Sequence, residues 1–112
     1  MSKSNDNRYD FKTIAGIKYE VKLEPSSKKT NNYFIAHFAY GKPSGIATTQ
    51  AQFYIFTNTD NYYLINVDEL KQIVQVNWRI MFTRDGLTAG HIVKISYIND
   101  ASIFLGTHIA LV

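Results

Sequence analysis

Apolar and polar residues alternate along positions 16–25. Ile17, Tyr19, Val21 and Leu23 fall on one face of a strand, and Lys18, Glu20, Lys22 and Glu24 on the other. Gly16 and Pro25 punctuate its ends. Upstream, residues 8–12 place Tyr9 and Phe11 on one face and Asp10 on the other, and Ile14-Ala15-Gly16 supplies a turn. The two segments predict a hairpin. Asp10 joins Glu20 and Lys22 on the polar face only in one register, and register is not readable here. Taken alone, Lys-x-Glu-x-Lys-x-Glu reads as the wet side of a half-buried edge strand.

The remaining pattern is dense in strands. Residues 25–32 form a polar loop with two lysines, plainest as a solvated turn. Residues 33–40 are apolar on both faces and predict a central strand, with His37 a satisfied, partly buried histidine. Gly41, Pro43 and Gly45 fix a loop in which Ser44 or Thr48 caps a short helix reaching Ala51. This loop lacks the Gly-Lys-Ser/Thr ending of a P-loop. Residues 52–57 and 62–65 predict strands joined by a hairpin loop, their aromatics serving core and cross-strand packing. Asn66 caps the main helix with Glu69 at its third position, a capping box. Val67, Leu70, Ile73 and Val74 form its buried stripe, and it runs to about Asn77. Trp78 and residues 80–82 continue extended, 84–86 turn, 91–98 form a strand, 99–100 turn, and 102–105 add a last short strand.

Composition narrows the class. The chain has 112 residues, enough for one domain over 1–112, with 1–8 read as a flexible start. Hydrophobic residues make up 46%, which excludes disorder. There is no cysteine, hence no disulfide framework and no Cys-based zinc site. Histidines at 37, 91 and 108 make a poor ligand set. No apolar run has the length of a membrane span, and the polar N-terminus has no signal-peptide core, so an intracellular protein without membrane attachment is expected. A net charge of +3 permits a polyanionic partner without requiring one.

An acid, then an acid-x-lysine on the returning strand, then a nearly all-apolar strand, a Gly-rich loop, further strands and a capped helix stand in order. Tyr9-Asp10-Phe11, Tyr19-Glu20-Val21-Lys22, Asn31-Asn32-Tyr33-Phe34-Ile35, Gly41-Lys42-Pro43-Ser44-Gly45-Ile46 and Phe53-Tyr54-Ile55-Phe56 carry a resemblance to the PD-(D/E)XK nuclease superfamily. More narrowly, they resemble its small viral and phage members. The resemblance covers about residues 8–75. It implies a restriction-endonuclease-like α/β (α+β) core, with a mixed, mainly antiparallel sheet and one main helix, abbreviated at the N-terminus or completed by a partner subunit. It also implies a DNA endonuclease in which Asp10 and Glu20 hold Mg²⁺, with Mn²⁺ as substitute, and Lys22 is the catalytic lysine.

The residue types suit that chemistry. Two hard carboxylate oxygens hold Mg²⁺ and leave positions for water and phosphate oxygen. The lysine orients or deprotonates the water and stabilises developing charge. Ala36 stands where similar sequences carry an acid, and Gln52 where they carry Asp. The missing acid at 36 raises a second reading, a nucleic-acid-binding domain of this fold that has lost catalysis. A third is a small β-rich protein-interaction module. Lys28, Lys29, Lys42, Ser44, Arg79 and Arg84, with Lys94, are the candidate DNA contacts, each alone an ordinary surface group. Small size and frequent aromatics add a homodimer to the expectations.

Overall fold

The computed structural model describes residues 2–3, 9–77 and 79–107. Its strands form two sheets. The larger runs β1 (Ser2–Lys3), β2 (Phe11–Lys12), β3 (Lys18–Leu23), β6 (Phe53–Thr57), β7 (Tyr62–Asn66) and β10 (Ile103–Gly106), in that spatial order. The smaller has the order β5 (Lys42–Pro43), β4 (Asn32–Ala39), β9 (Thr88–Lys94), β8 (Ile80–Phe82). Every pairing is antiparallel except β3 with β6. The result is a mixed, mainly antiparallel α/β fold with one dominant helix, α2 (Val67–Val76). Two shorter helices, α1 (Ser27–Thr30) and α3 (Ile95–Asn99), flank the smaller sheet in sequence.

The predicted hairpin forms. Gly16 takes φ +85°, and the turn closes through Gly16 N donating to Thr13 O and Thr13 N to Ile17 O. At the main helix, the Asn66 side chain accepts from Asp68 N at 2.8 Å, one position before the expected capping-box donor. Val67, Leu70 and Val74 are buried and Ile73 partly so. They pack with Tyr54, Phe56 and Ile65 of the larger sheet and Tyr33, Ile35 and Val93 of the smaller one. The core therefore lies between the sheets, closed by α2.

Several expectations are corrected. β3 is no edge strand, since β2 and β6 flank it. Its polar stripe is not its wet side either. Glu20 and Lys22 stand beside Tyr54 and Phe56, both core residues, and so share the inward face. Glu20 is only 8% exposed, whereas Leu23 on the apolar stripe is 62% exposed. That stripe instead builds an aromatic ladder on the other face: Phe11, Tyr19 and Phe53, with centroids 5.0 and 5.5 Å apart.

The strand expected at 33–40 is internal, but to the second sheet. His37 falls at a bulge between Ala36 and Phe38, and its Nδ1 is buried without a hydrogen-bond partner. The expectation of a satisfied histidine fails there. The loop at 25–32 contains α1, because the buried Ser27 hydroxyl donates to Glu24 O at 2.7 Å and Asn31 ends the turn at φ 57°. The helix after Ser44 is a single 3₁₀ turn, Gly45–Ala47, with no side-chain cap and no extension to Ala51. The strand expected over 91–98 is β9, starting three residues earlier, followed by α3. Ile95 and Ile98 lie three apart, and Ile98 reaches the core. Ser2 and Lys3, expected in a flexible start, pair with β2. Arg8, Trp78 and His108 lie outside the described residues.

Gly90 tests the packing of the smaller sheet. A Cβ there would lie 2.7 Å from Ile35 O and 2.7 Å from the Phe34 ring. Gly90→Ala is expected to lower stability by about 1–3 kcal/mol, measurable by urea denaturation; an unchanged midpoint would contradict the close approach of β4 and β9.

Candidate active site

The hairpin register settles where Asp10 goes. Phe11 stands opposite Tyr19, and Asp10 N donates to Tyr19 O at 2.8 Å. Asp10 therefore lies across from Glu20. Its Oδ2 accepts from Val21 N at 2.7 Å, which fixes the carboxylate against β3. Its side chain also meets that of Glu20 in a hydrogen bond. Lys22, two residues along the same face, holds Nζ 3.8 Å from Glu20 Oε2. The structure thus brings Asp10, Glu20 and Lys22 together.

The surroundings of this trio are drier than a strand surface. Burial pushes the Glu20 carboxyl up to about 7, the bond to Asp10 adds to the rise, and Lys22 pulls against it. Glu24 is also raised, chiefly by burial, with Lys22 and the Phe34 backbone acting in the opposite direction. Lys22 therefore stands between two carboxyls, with the Tyr54 ring centroid 5.9 Å from its Nζ. The Tyr54 hydroxyl is pushed up to about 12, first by burial, with Thr49 lowering it and Glu20 and Asp10 raising it.

Two adjoining carboxyls, one of them half-protonated near neutrality, form a pair of hard oxygen donors. A divalent cation would relieve their repulsion, so the residues present fit Mg²⁺ or Mn²⁺ at Asp10 and Glu20. Among the described residues no group of three or more His, Asp or Glu side chains gathers at one point. Ala36 is in the other sheet, paired with Gly90. Gln52 is committed to structure: its Oε1 accepts from Lys18 N at 2.8 Å, and its own N donates to Lys18 O.

Tyr54 and Glu24 were not singled out from sequence. Glu24 was readable, being the next residue on the polar stripe. Tyr54 was not, because only the parallel register of β3 and β6 puts it beside Glu20.

The candidate DNA contacts do not gather into one set. Lys28 is paired with Asp60 at 2.8 Å and bonds Thr59, so it staples α1 to the β6–β7 loop. Lys29 is exposed in α1, beside the end of β4 that pairs Asn32 with Lys94. Arg79 and Lys94 line one cavity at that end. Lys42 and the Arg84 turn lie at the opposite end, where Ala39 pairs with both Lys42 and Thr88. Ser44 spends its N–H on His37 O. No helix among the described residues is long and apolar enough to cross a membrane. Comparison with family models, curated proteins and solved structures finds no match.

Because Glu20 rises from 4.5 to about 7 on folding, its contribution to stability is complete below pH 4.5 and is lost as pH climbs through 7. In EDTA, Glu20→Gln should therefore melt higher than the parent at pH 8 and together with it at pH 4. Equal melting curves at both pH values would contradict a dry carboxyl.

Proposed function

We propose that this chain is a Mg²⁺-dependent DNA endonuclease of PD-(D/E)XK type with a restriction-endonuclease-like core, hydrolysing phosphodiester bonds. The observation that carries the reading is the contact of the Asp10 and Glu20 carboxyls, with Lys22 3.8 Å from Glu20. Asp10 and Glu20 would hold the cation. When bound, it supplies a hydroxide-generating Lewis acid and charge neutralisation at the phosphate. Lys22, kept in place by Glu20, Glu24 and the Tyr54 ring, orients the attacking water and places positive charge beside the developing phosphorane. Burial on the inward face keeps bulk water from screening that charge.

A second reading, a DNA-binding domain of this fold without catalysis, is favoured by one observation. Among the described residues no third acid joins the pair, and Ala36 stands where the resembling sequences carry one.

Plasmid, linear, single-stranded and branched DNA incubated with Mg²⁺, Mn²⁺ or EDTA tests both. The active reading expects metal-dependent cleavage, abolished in Glu20→Ala and reduced on the order of 10²–10³-fold in Lys22→Met. Salt-sensitive DNA binding with no cleavage under any metal supports the second reading. If no form cleaves and none binds DNA in a salt-sensitive way, both fail and an interaction module remains.

The proposal includes a homodimer. Among the described residues β8 is an edge strand, and it carries Ile80, Met81 and Phe82, all exposed, the kind of strand that pairs between copies. A mass of about 26 kDa in light scattering, twice the chain's 12.8 kDa, is expected; a monomeric mass removes this part.

A further inference from the structure

Beyond the carboxylate pair, the fold holds a cavity of about 450 Å³ between the C-terminal end of α2, the starts of β4 and β8, the end of β9, and α3. Asn32, Val76, Asn77, Arg79, Ile92, Lys94 and Tyr97 line it. Its volume is in the range of small-ligand sites. Among the described residues the lining has two cations and no carboxylate. Lys94 Nζ lies 5.9 Å from the centroid of the Tyr97 ring, so charge and aromatic face are presented together. Two of the last α2 carbonyls beside it are already satisfied. Asn77 N caps Ile73 O and Val74 O, and Asn77 Nδ2 donates to Ile73 O at 2.7 Å. Asn32 adds a side-chain amide, both donor and acceptor, to the lining.

A smaller hollow of about 190 Å³ adjoins this cavity, sharing Asn32 and Ile92 with it. Its far wall is Glu24, the residue after Lys22 on the inward stripe, whose carboxyl accepts from Phe34 N. The two spaces are neighbours through Asn32 and Ile92.

We propose that this cavity binds one nucleotide of a single strand, its base stacked on Tyr97 and its phosphate held by Arg79 and Lys94. The choice of nucleic acid as ligand rests on the nuclease reading. The chemistry stands apart from it: an aromatic face beside two cations suits a planar base joined to a phosphate. The asparagine amide in the lining can meet a base edge without dictating which base.

The test is the fluorescence anisotropy of a short fluorescein-labelled oligothymidylate, in EDTA so that no cleavage intervenes. Tyr97 is 47% exposed, so its replacement leaves the core intact. Tyr97→Ala is expected to weaken binding about tenfold, while Tyr97→Phe, which keeps the ring, binds like the parent. Arg79→Gln with Lys94→Gln is expected to lower the slope of log affinity against log salt by about 1.4. Lys71→Gln, an exposed lysine of α2 outside the cavity, leaves that slope unchanged. Parent affinity in Tyr97→Ala, or equal losses in Tyr97→Phe and Tyr97→Ala, would overturn the proposal. So would a Lys71→Gln effect as large as that of the double variant. Binding that depends on Tyr97 in a protein that cleaves nothing keeps the cavity and removes the nuclease reading. Cleavage with binding indifferent to Tyr97 does the reverse.

Discussion

The parallel pairing of β3 with β6 is the constraint on which the rest of the molecule depends. It sets Glu20 beside Tyr54 and Lys22 beside Phe56, turning a charged stripe toward a core of aromatic rings. Charged groups facing a core must be paired or neutral. Here each is accounted for: Glu20 shares a hydrogen bond with Asp10, Lys22 lies between two carboxyls, and Glu24 accepts from Phe34 N. The same pairing forces the chain between β3 and β6 to leave the larger sheet. That excursion is α1, β4 and β5, which start the smaller sheet. One strand register thus decides both the chemistry of the site and the existence of a second layer.

Much of this was legible in the residues. The hairpin, the main helix with its Asn66 cap, the two aromatic strands and the late turns follow from periodicity and turn chemistry over short spans. The acid, acid-x-lysine grouping was legible too, because residues two apart on a strand share a face. The direction of that face was not. Alternation separates two faces without saying which meets the core, and here the sheet buries something on both. The apolar stripe of β3 satisfies its own neighbours through the Phe11–Tyr19–Phe53 ladder, which leaves the charged stripe to look inward. Alternation over 91–98 was deceptive for a different reason. Isoleucines three apart fit a helical turn as well as a strand, and only contact of Ile98 with the core decides.

The dispersal of the basic residues has a similar cause. Lys28, Lys42 and Arg79 are alike in sequence terms, each a cation near a loop. Position in the fold separates them: one staples a loop, one lies on an edge strand, and one faces a cavity. Among the described residues the asymmetry leaves the larger cavity with cations and no acid, while the inward stripe of β3 carries both signs.

The β2–β3 hairpin also says something about the order in which the protein is made. Its partners are close in sequence, whereas Tyr19 must find Phe53 across a long excursion of chain. Closing that loop costs on the order of 3 kcal/mol in chain entropy before any contact repays it, and non-local pairing of this kind slows folding. The contact of Asp10 with Glu20 needs only the hairpin register. Only when β6 docks and Tyr54 closes over them does the low-dielectric environment appear that lifts Glu20 to about 7. The carboxyl pair thus belongs to a local hairpin, whereas its dry surroundings belong to a non-local pairing, so any change that loosens β6 from β3 alters the site without touching a residue of it.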